Sequence, residues 1–159
     1  MVSWNDFEQQ APELAALARE RFDATGLALL GTLRRDGWPR ISPIEYTFWD
    51  GELVFGGIWQ SKKFLDIARD NRVTIHSATT NKNGQEGDAK LYARLAPLAQ
   101  DREEAYWQHI FELMDWRPSG PAHVYTTDIT SAAYIRFGDD GIMRWLTWPG
   151  NDWRSRKAE

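Results

Sequence analysis

A serine followed by two lysines, Ser61, Lys62 and Lys63, stands where an apolar strand gives way to a predicted helix. Ser61 is a suitable N-terminal cap, and the start of a helix presents backbone N–H groups without partners and a partial positive charge. Lysines at this position cost about 0.3 to 1 kcal/mol unless an anion lies nearby. A bound phosphate explains their placement, because the hydroxyl and N–H groups donate hydrogen bonds and the lysines supply charge. The alternative is a solvated surface helix.

The other titratable residues do not indicate an acid or a base. Glu45, Tyr46 and His76 lie near this segment in the sequence, but one titratable group in a strand is a weak sign of catalysis. His76, His109 and His123 are too scattered for metal-ligand spacing, and the absence of cysteine excludes thiolate ligands and disulfides. The sequence therefore predicts no metal site and leaves the catalytic residues unassigned.

Composition and charge restrict the class of protein. The 159 residues suit one domain with a substantial core, and 42% hydrophobic with 26% charged residues is typical of a folded soluble protein. The net charge of −4 disfavours nucleic acid as a partner, and neither a long apolar run nor a signal peptide is present. We expect a cytoplasmic protein without a membrane partner. Nine tryptophans favour a flat ligand, an oligomer interface or an aromatic core.

An antiparallel meander is predicted to precede the Ser-Lys-Lys segment. Alternating apolar residues predict strands over 27–33, 38–49 and 52–58, and Asp50-Gly51 is a strong two-residue hairpin signal. Pro39 and Pro43 each remove a hydrogen-bond donor from the second strand, so this strand should be bent, bulged or at an edge. A free strand edge can offer its backbone to a ligand, although a plain edge strand fits the pattern equally well.

The remaining elements complete a mostly β chain. Helices are predicted over about 4–24, after Ser61 as far as 69–71, and over about 102–114 with Asp101 as its cap. Further strands are predicted over 72–77, 89–99, 132–137 and 142–148, and the tail from Asn151 is predicted to be frayed. We expect an α+β fold, mostly β, in which six or seven antiparallel strands form a barrel with an N-terminal helix and two further helices. One domain covers residues 1–159, with its core over about 20–148.

The order of these features resembles the pyridoxamine 5′-phosphate oxidase-like family of FMN-binding split β-barrels, which also includes deazaflavin (F420)-dependent reductases. The resemblance covers about residues 20–148 and rests on order and spacing, since no single motif is specific. Asn71 stands where the family usually has proline, and Ala93 replaces a glycine of the family's "G-x-A" strand. The matching positions are Asp36, Gly37, Pro39, Arg40, Ser42, Pro43, Ser61, Lys62, Lys63, Arg72 and Val73.

The resemblance implies a homodimer of split barrels with two cofactor sites at its interface. It implies an FMN-dependent oxidoreductase that transfers hydride to or from an unidentified small planar substrate. The flavin phosphate would lie near the Ser-Lys-Lys segment and the ring along the second and third strands, while Trp145 and Trp148 would reach the partner's site or only pack in the interface. The implied cofactor contacts are Arg40, Ser42, Pro43, Ile44, Phe55, Gly56, Ser61, Lys62, Lys63 and Trp145.

Departures from the family narrow the activity. The C-terminal segment "WPGNDWRSRKAE" has no counterpart of the Arg- and Pro-containing segment with which true pyridoxamine phosphate oxidases hold their substrate, and no histidine follows His123 as haem-degrading members require. Vitamin B6 oxidation and haem degradation are therefore disfavoured. FMN is favoured over F420 because the family uses FMN more widely. The longer tail of F420 would favour an open groove with extra cations, for which Arg34, Arg35 and Lys90 are candidates, but two arginines in a hairpin turn are equally well explained by solubility. A flavin-binding split-barrel protein without turnover is a further alternative.

Overall fold

The computed structural model describes residues 1–79 and 81–157. Within these ranges the chain forms four helices and one antiparallel sheet of nine strands, which confirms the predicted α+β, mostly β class. The strands number nine rather than six or seven, because the strand predicted over 38–49 is interrupted at Tyr46 and the tail adds a further strand. The helices are α1 (Trp4–Gln10), α2 (Pro12–Asp23), α3 (Lys62–Arg69) and α4 (Gln100–Met114). The strands are β1 (Leu27–Leu33), β2 (Pro39–Glu45), β3 (Thr47–Trp49), β4 (Glu52–Ile58), β5 (Arg72–Ser77), β6 (Asp88–Pro97), β7 (Ala122–Phe137), β8 (Ile142–Trp148) and β9 (Trp153–Lys157).

The sheet closes on itself through its two end strands. The strand order is β2-β1-β5-β6-β7-β4-β3, with β8 paired to β7 and β9 paired to β8. β2 and β3 stand at opposite ends of this order, yet only Tyr46 separates them along the chain. The segment pairs with β1 before Tyr46 and with β4 after it. The barrel is therefore split between β2 and β4, which share no backbone pairing in the described part of the chain.

The predicted edge strand and hairpin are confirmed. β2 pairs with β1 alone, so one edge of the strand that contains Pro39 and Pro43 has no strand partner among the described residues. Asp50 and Gly51 both have positive φ, 50° and 74°, as the favoured two-residue turn requires. The free edge of β2 is the side that faces the split.

Two predictions about the C-terminal strands were wrong. β7 begins at Ala122, ten residues earlier than predicted, because Val124, Tyr125, Thr126 and Thr127 are all buried and show no alternation. The barrel core lies on one side of this stretch and α4 on the other. The tail is also ordered as β9, where Trp153 donates a hydrogen bond from Nε1 to Glu13 at 3.0 Å. Because Trp153 and Glu13 are 140 residues apart in the sequence, no local pattern predicts this contact.

The predicted N-terminal helix is two helices. Ser3 caps α1 by accepting a hydrogen bond from the N–H of Asp6, and the chain breaks at Ala11, where φ is −143° just before Pro12. Proline lacks an N–H and suits the first position of a new helix, so α2 starts there. α4 also differs from its prediction, because it starts at Gln100 and its Asp101 lies in the first turn.

The hydrophobic core has two parts. The larger part fills the barrel and the space beneath α1 and α2, and it includes Phe7, Phe22, Phe55 and Phe64. The smaller part lies between α4 and the outer face of β4 and β7, around Tyr106 and Trp107 of α4. Both parts meet β4, which leads directly into α3. None of the helices in residues 1–79 and 81–157 is both long and apolar enough to span a bilayer.

Candidate cofactor site

The first turn of α3 has the features of an anion site. Ser61 occupies the N-cap position, but its side chain makes no capping hydrogen bond. Its hydroxyl oxygen is buried and has no hydrogen-bond partner among the described residues. Leaving a buried polar group unpaired costs about 1 to 3 kcal/mol. A ligand with acceptor oxygens would satisfy this hydroxyl.

The backbone and the two lysines extend this donor set. The N–H groups of Phe64 and Leu65 both donate to the carbonyl of Ser61, at 2.9 and 3.0 Å. Lys62 and Lys63 are the first two residues of α3, so their N–H groups have no hydrogen-bond acceptor within the helix. Neither lysine pairs with a carboxylate in the described ranges, and the Lys63 ammonium lies 5.7 Å from the ring centre of Phe64. The hydroxyl, the two N–H groups and the two lysines thus belong to the same first turn of α3.

His123 holds the turn that leads from β4 into α3. Gln60 has a φ of 56°, and its N–H donates to His123 Nε2 at 3.0 Å. Trp59 stacks on the same imidazole, with ring centres 4.5 Å apart and planes 20° apart. Burial lowers the pKa of His123, which favours the neutral ring that accepts this bond. Sequence reasoning missed this role because 63 residues separate His123 from Gln60.

Two glycines at the end of β4 allow helices to approach from both faces. A Cβ atom on Gly57 would lie 2.3 Å from the ring of Phe64 in α3. A Cβ atom on Gly56 would lie 3.3 Å from the hydroxyl oxygen of Tyr106 in α4. Successive strand residues point to opposite faces, so the pair seats α3 on one face and α4 on the other. Gly56 is thereby part of the wall next to the split.

A buried carboxylate joins α3 to the barrel. Asp66, only 4% exposed, accepts hydrogen bonds from Arg40 Nε at 2.7 Å and from the Thr32 hydroxyl at 3.0 Å. Arg69 donates a third, longer bond at 3.3 Å. Burial opposes ionisation of Asp66, but the bonds from these donors outweigh it and lower the pKa. The Nε of Arg40 is therefore committed to Asp66, and only its other N–H groups remain for a ligand.

The β2 residues singled out from the sequence lie on two faces. Ser42 and Ile44 alternate toward the barrel interior, where Ile44 is buried, and the partly exposed Arg40 reaches the buried Asp66. Pro43 lies on the outer face and is exposed. Phe55 is fully buried in the core, so only its backbone remains for a ligand. The ring contacts implied by the resemblance would thus come mainly from strand edges.

The two C-terminal tryptophans lie elsewhere in the sheet. Trp145 is half-buried on β8, paired with Ile135 of β7 on one side and Arg154 of β9 on the other. Trp148 is buried and packs edge-on against Phe7 of the same chain, with ring centres 5.4 Å apart. The side chain of Trp148 therefore belongs to the core of its own chain.

A cavity of about 550 Å³ lies over the split. Glu45 and Thr47 form one lip, and residues 56–58 of β4 form the other. Its outer wall is apolar and is built from Trp59 and from α4 with the loop that follows it. The members of this wall are Trp59, Trp107, Ile110, Met114, Trp116 and Pro118. Such a cavity suits a flat molecule that rests on strand edges.

A second cavity, of about 710 Å³, lies on the outer face of β1, β2, β5 and β6. Its lining includes Ile41 and Tyr92, which are 73% and 48% exposed. His76 also lines it, and a hydrogen bond with Asp88, whose Oδ1 lies 3.2 Å from His76 Nε2, raises the pKa of His76. In the described ranges, no three histidine or acidic side chains are grouped to hold a metal ion.

Neither a protein-family model nor a curated protein matches the chain. Solved structures do match it in fold. PhzG from Burkholderia lata 383, in complex with tetrahydrophenazine-1-carboxylic acid, has a TM-score of 0.68 at 13% identity and covers 97% of this chain and 94% of its own. A NimC/NimA family protein from Clostridium acetobutylicum has a TM-score of 0.62 at 19% identity, and the match covers 89% of this chain and 96% of that protein. An FAD-binding protein from Mesorhizobium loti has a TM-score of 0.56 at 17% identity, and the match covers 76% of this chain and 90% of that protein. The chain thus has the split-barrel fold of the pyridoxamine 5′-phosphate oxidase-like proteins.

Proposed function

We propose that this protein is an FMN-dependent oxidoreductase that holds the flavin phosphate at the first turn of α3. One observation carries the proposal: the buried hydroxyl of Ser61 lacks a partner among the described residues, at a helix start that bears two uncompensated lysines. A single phosphate would supply acceptors for the hydroxyl and a counter-charge for Lys62 and Lys63. The FAD-binding protein that shares the fold supports a flavin-type cofactor.

The cavity over the split supports a place for the flavin ring. Its volume of about 550 Å³ falls within the usual range for small-molecule sites. The free edge of β2 and the end of β4 offer backbone groups, and Gly56 leaves its part of the wall without a side chain. Trp107 and Trp116 form an apolar wall that would exclude water.

The residues of the chain would bind and orient the flavin and the substrate, while the flavin, when bound, would supply the hydride chemistry. Ser61, Lys62 and Lys63 would hold the phosphate end. The contact between His123 and Gln60 would keep the preceding turn in place, and Asp66 would keep α3 against the barrel. The substrate would be a small planar molecule placed beside the ring.

We also propose a homodimer in which the outer face of β1, β2, β5 and β6 meets a second copy. This face has a cavity of about 710 Å³ and exposes Ile41 and Tyr92, and an exposed apolar surface of this kind is typical of an interface. Light scattering is expected to give twice the chain mass of 18.4 kDa. A mass of one chain at micromolar concentration would contradict the dimer.

Titration with FMN and with riboflavin tests the proposed cofactor. The purified protein is expected to bind FMN and to quench its fluorescence, with an affinity more than tenfold higher than for riboflavin, which lacks the phosphate. Charge-assisted hydrogen bonds contribute about 1.5 to 3 kcal/mol each, and 1.4 kcal/mol is a factor of ten. Reduction of the bound flavin by NADH or NADPH would then support an oxidoreductase.

Three other results would change the proposal. Equal affinities for FMN and riboflavin would contradict a phosphate site. Binding of F420 without binding of FMN would replace the cofactor. Binding of FMN without reduction by any tested donor would indicate a flavin-binding protein without turnover.

A further inference from the structure

Three tryptophans line the cavity over the split. Trp107 and Trp116 meet edge to face, with ring centres 6.3 Å apart and planes 73° apart. Trp107 lies on α4 and is nearly buried, whereas Trp116 lies on the loop after α4 and is 55% exposed. Asp115 ends the helix in the left-handed conformation, with a φ of 52°, and this turn returns Trp116 to Trp107. The rings of this wall are suited to stacking against a flat aromatic molecule.

The charge of this cavity is one-sided. Glu45 is the only residue of its lining, all of it within the described ranges, that carries a charged side chain. Glu45 and Tyr106 line the same cavity; burial raises the pKa of Tyr106, and the negative charge of Glu45 raises it further. Lys62 and Lys63 do not line the cavity. Arg102 of α4 is paired with Asp50 at 2.8 Å, and Arg117, next to Trp116, is paired with Glu104 at 2.9 Å.

We propose that this cavity binds flat aromatic molecules that are uncharged or positively charged, and that Glu45 excludes anionic ones. An anion in the cavity would lose its hydration and meet a carboxylate instead of a cation. A cation or a hydrogen-bond donor would pair with Glu45, while its ring stacked on Trp116. The identification of the bound molecule as the substrate rests on the proposed function. The binding of such a molecule in this cavity does not depend on the proposed function.

Acridines of one shape and three charges provide the test. Acridine is uncharged at pH 7.5, 9-aminoacridine is a cation, and acridine-9-carboxylate is an anion. The titrations use the full-length protein free of flavin, because the proposed flavin ring would share this cavity. In calorimetry, acridine and 9-aminoacridine are expected to bind at least tenfold more tightly than acridine-9-carboxylate. Glu45→Gln should reduce this difference, and Glu45→Lys should reverse the order of the cation and the anion.

Trp116→Ala tests the aromatic wall. It is expected to weaken binding of all three acridines by about tenfold, the upper part of the range for a lost aromatic pair. Trp38→Ala is the matched control, because Trp38 is 69% exposed in the turn between β1 and β2 and lines neither of the two cavities described above. Glu45 and Trp116 are both exposed, and circular dichroism would verify that their variants fold.

The results separate this inference from the proposed cofactor. Equal affinities for the three acridines, or affinities unaffected by Glu45→Lys and Trp116→Ala, would overturn the inference even if FMN binds. The expected charge preference together with no binding of FMN would support this inference and overturn the cofactor site.

Discussion

Replacing Lys62 and Lys63 together by alanine is expected to weaken FMN binding by well over tenfold. Both lysines stand at the start of α3 beside the unpaired hydroxyl of Ser61, and each would lose a charge-assisted bond worth about 1.5 to 3 kcal/mol. Without cofactor, the same change should raise the free energy of unfolding by about 0.3 to 1 kcal/mol, because it removes positive charge from the positive end of a helix. Lower affinity together with higher stability is the signature of charges retained for a ligand.

The measurement is a fluorescence titration with FMN beside urea unfolding of the unliganded protein. Lys82→Ala is the control, since Lys82 is exposed in the segment between β5 and β6. The double variant should also lose the preference for FMN over riboflavin. An unchanged FMN affinity would remove the phosphate site from α3.

Replacing Asp66 by alanine is expected to lower the free energy of unfolding more than any other substitution proposed for this protein. The carboxylate is 4% exposed, and its removal leaves the hydroxyl of Thr32 and the guanidinium of Arg40 without their partner. Breaking a buried ion pair costs about 3 to 5 kcal/mol. Because the Arg40 side chain is 26% exposed, the loss should lie near the lower end of this range. Urea unfolding followed by tryptophan fluorescence measures it.

The control for this change is Asp70→Ala. Asp70 pairs with Arg72, whose side chain is 61% exposed, so its loss should shift the unfolding midpoint much less. Equal shifts for the two variants would show that the bonds of Asp66 do not stabilise the fold. They would also remove the argument that Asp66 keeps α3 in position.

Acid should weaken the contribution of Asp66. Its pKa in the folded protein lies below the ordinary value of 3.8, so the folded state releases the proton more readily than the unfolded chain. The resulting stability is present above pH 3.8 and is lost as the pH falls through the folded pKa. The stability difference between the wild type and Asp66→Asn should therefore shrink from about pH 5 to about pH 3. A constant difference would contradict the lowered pKa.

Local signals in the sequence predicted the elements that carry the site. β1, β4, β5 and β8 begin and end at the predicted residues, because each alternates or forms a short apolar run between turn residues. The Asp50-Gly51 hairpin and the N-cap position of Ser61 are likewise local. The serine and the two lysines could thus be singled out before the fold was known.

Contacts between distant residues could not be predicted in this way. Asp66 meets Arg40 and Thr32 across 26 and 34 residues, and Gln60 meets His123 across 63. The wall of the cavity is also non-local, since Trp59 follows β4 while Trp107 and Trp116 belong to α4 and to the loop after it. Which face of β2 points to the barrel interior could not be predicted either, because it depends on how the barrel closes.

A crystal structure of the protein with FMN tests the central claim most directly. The phosphate is expected within hydrogen-bond distance of Ser61 Oγ and of the N–H groups of Lys62 and Lys63, with the ring along the edges of β2 and β4. A phosphate bound away from the first turn of α3 would contradict the account.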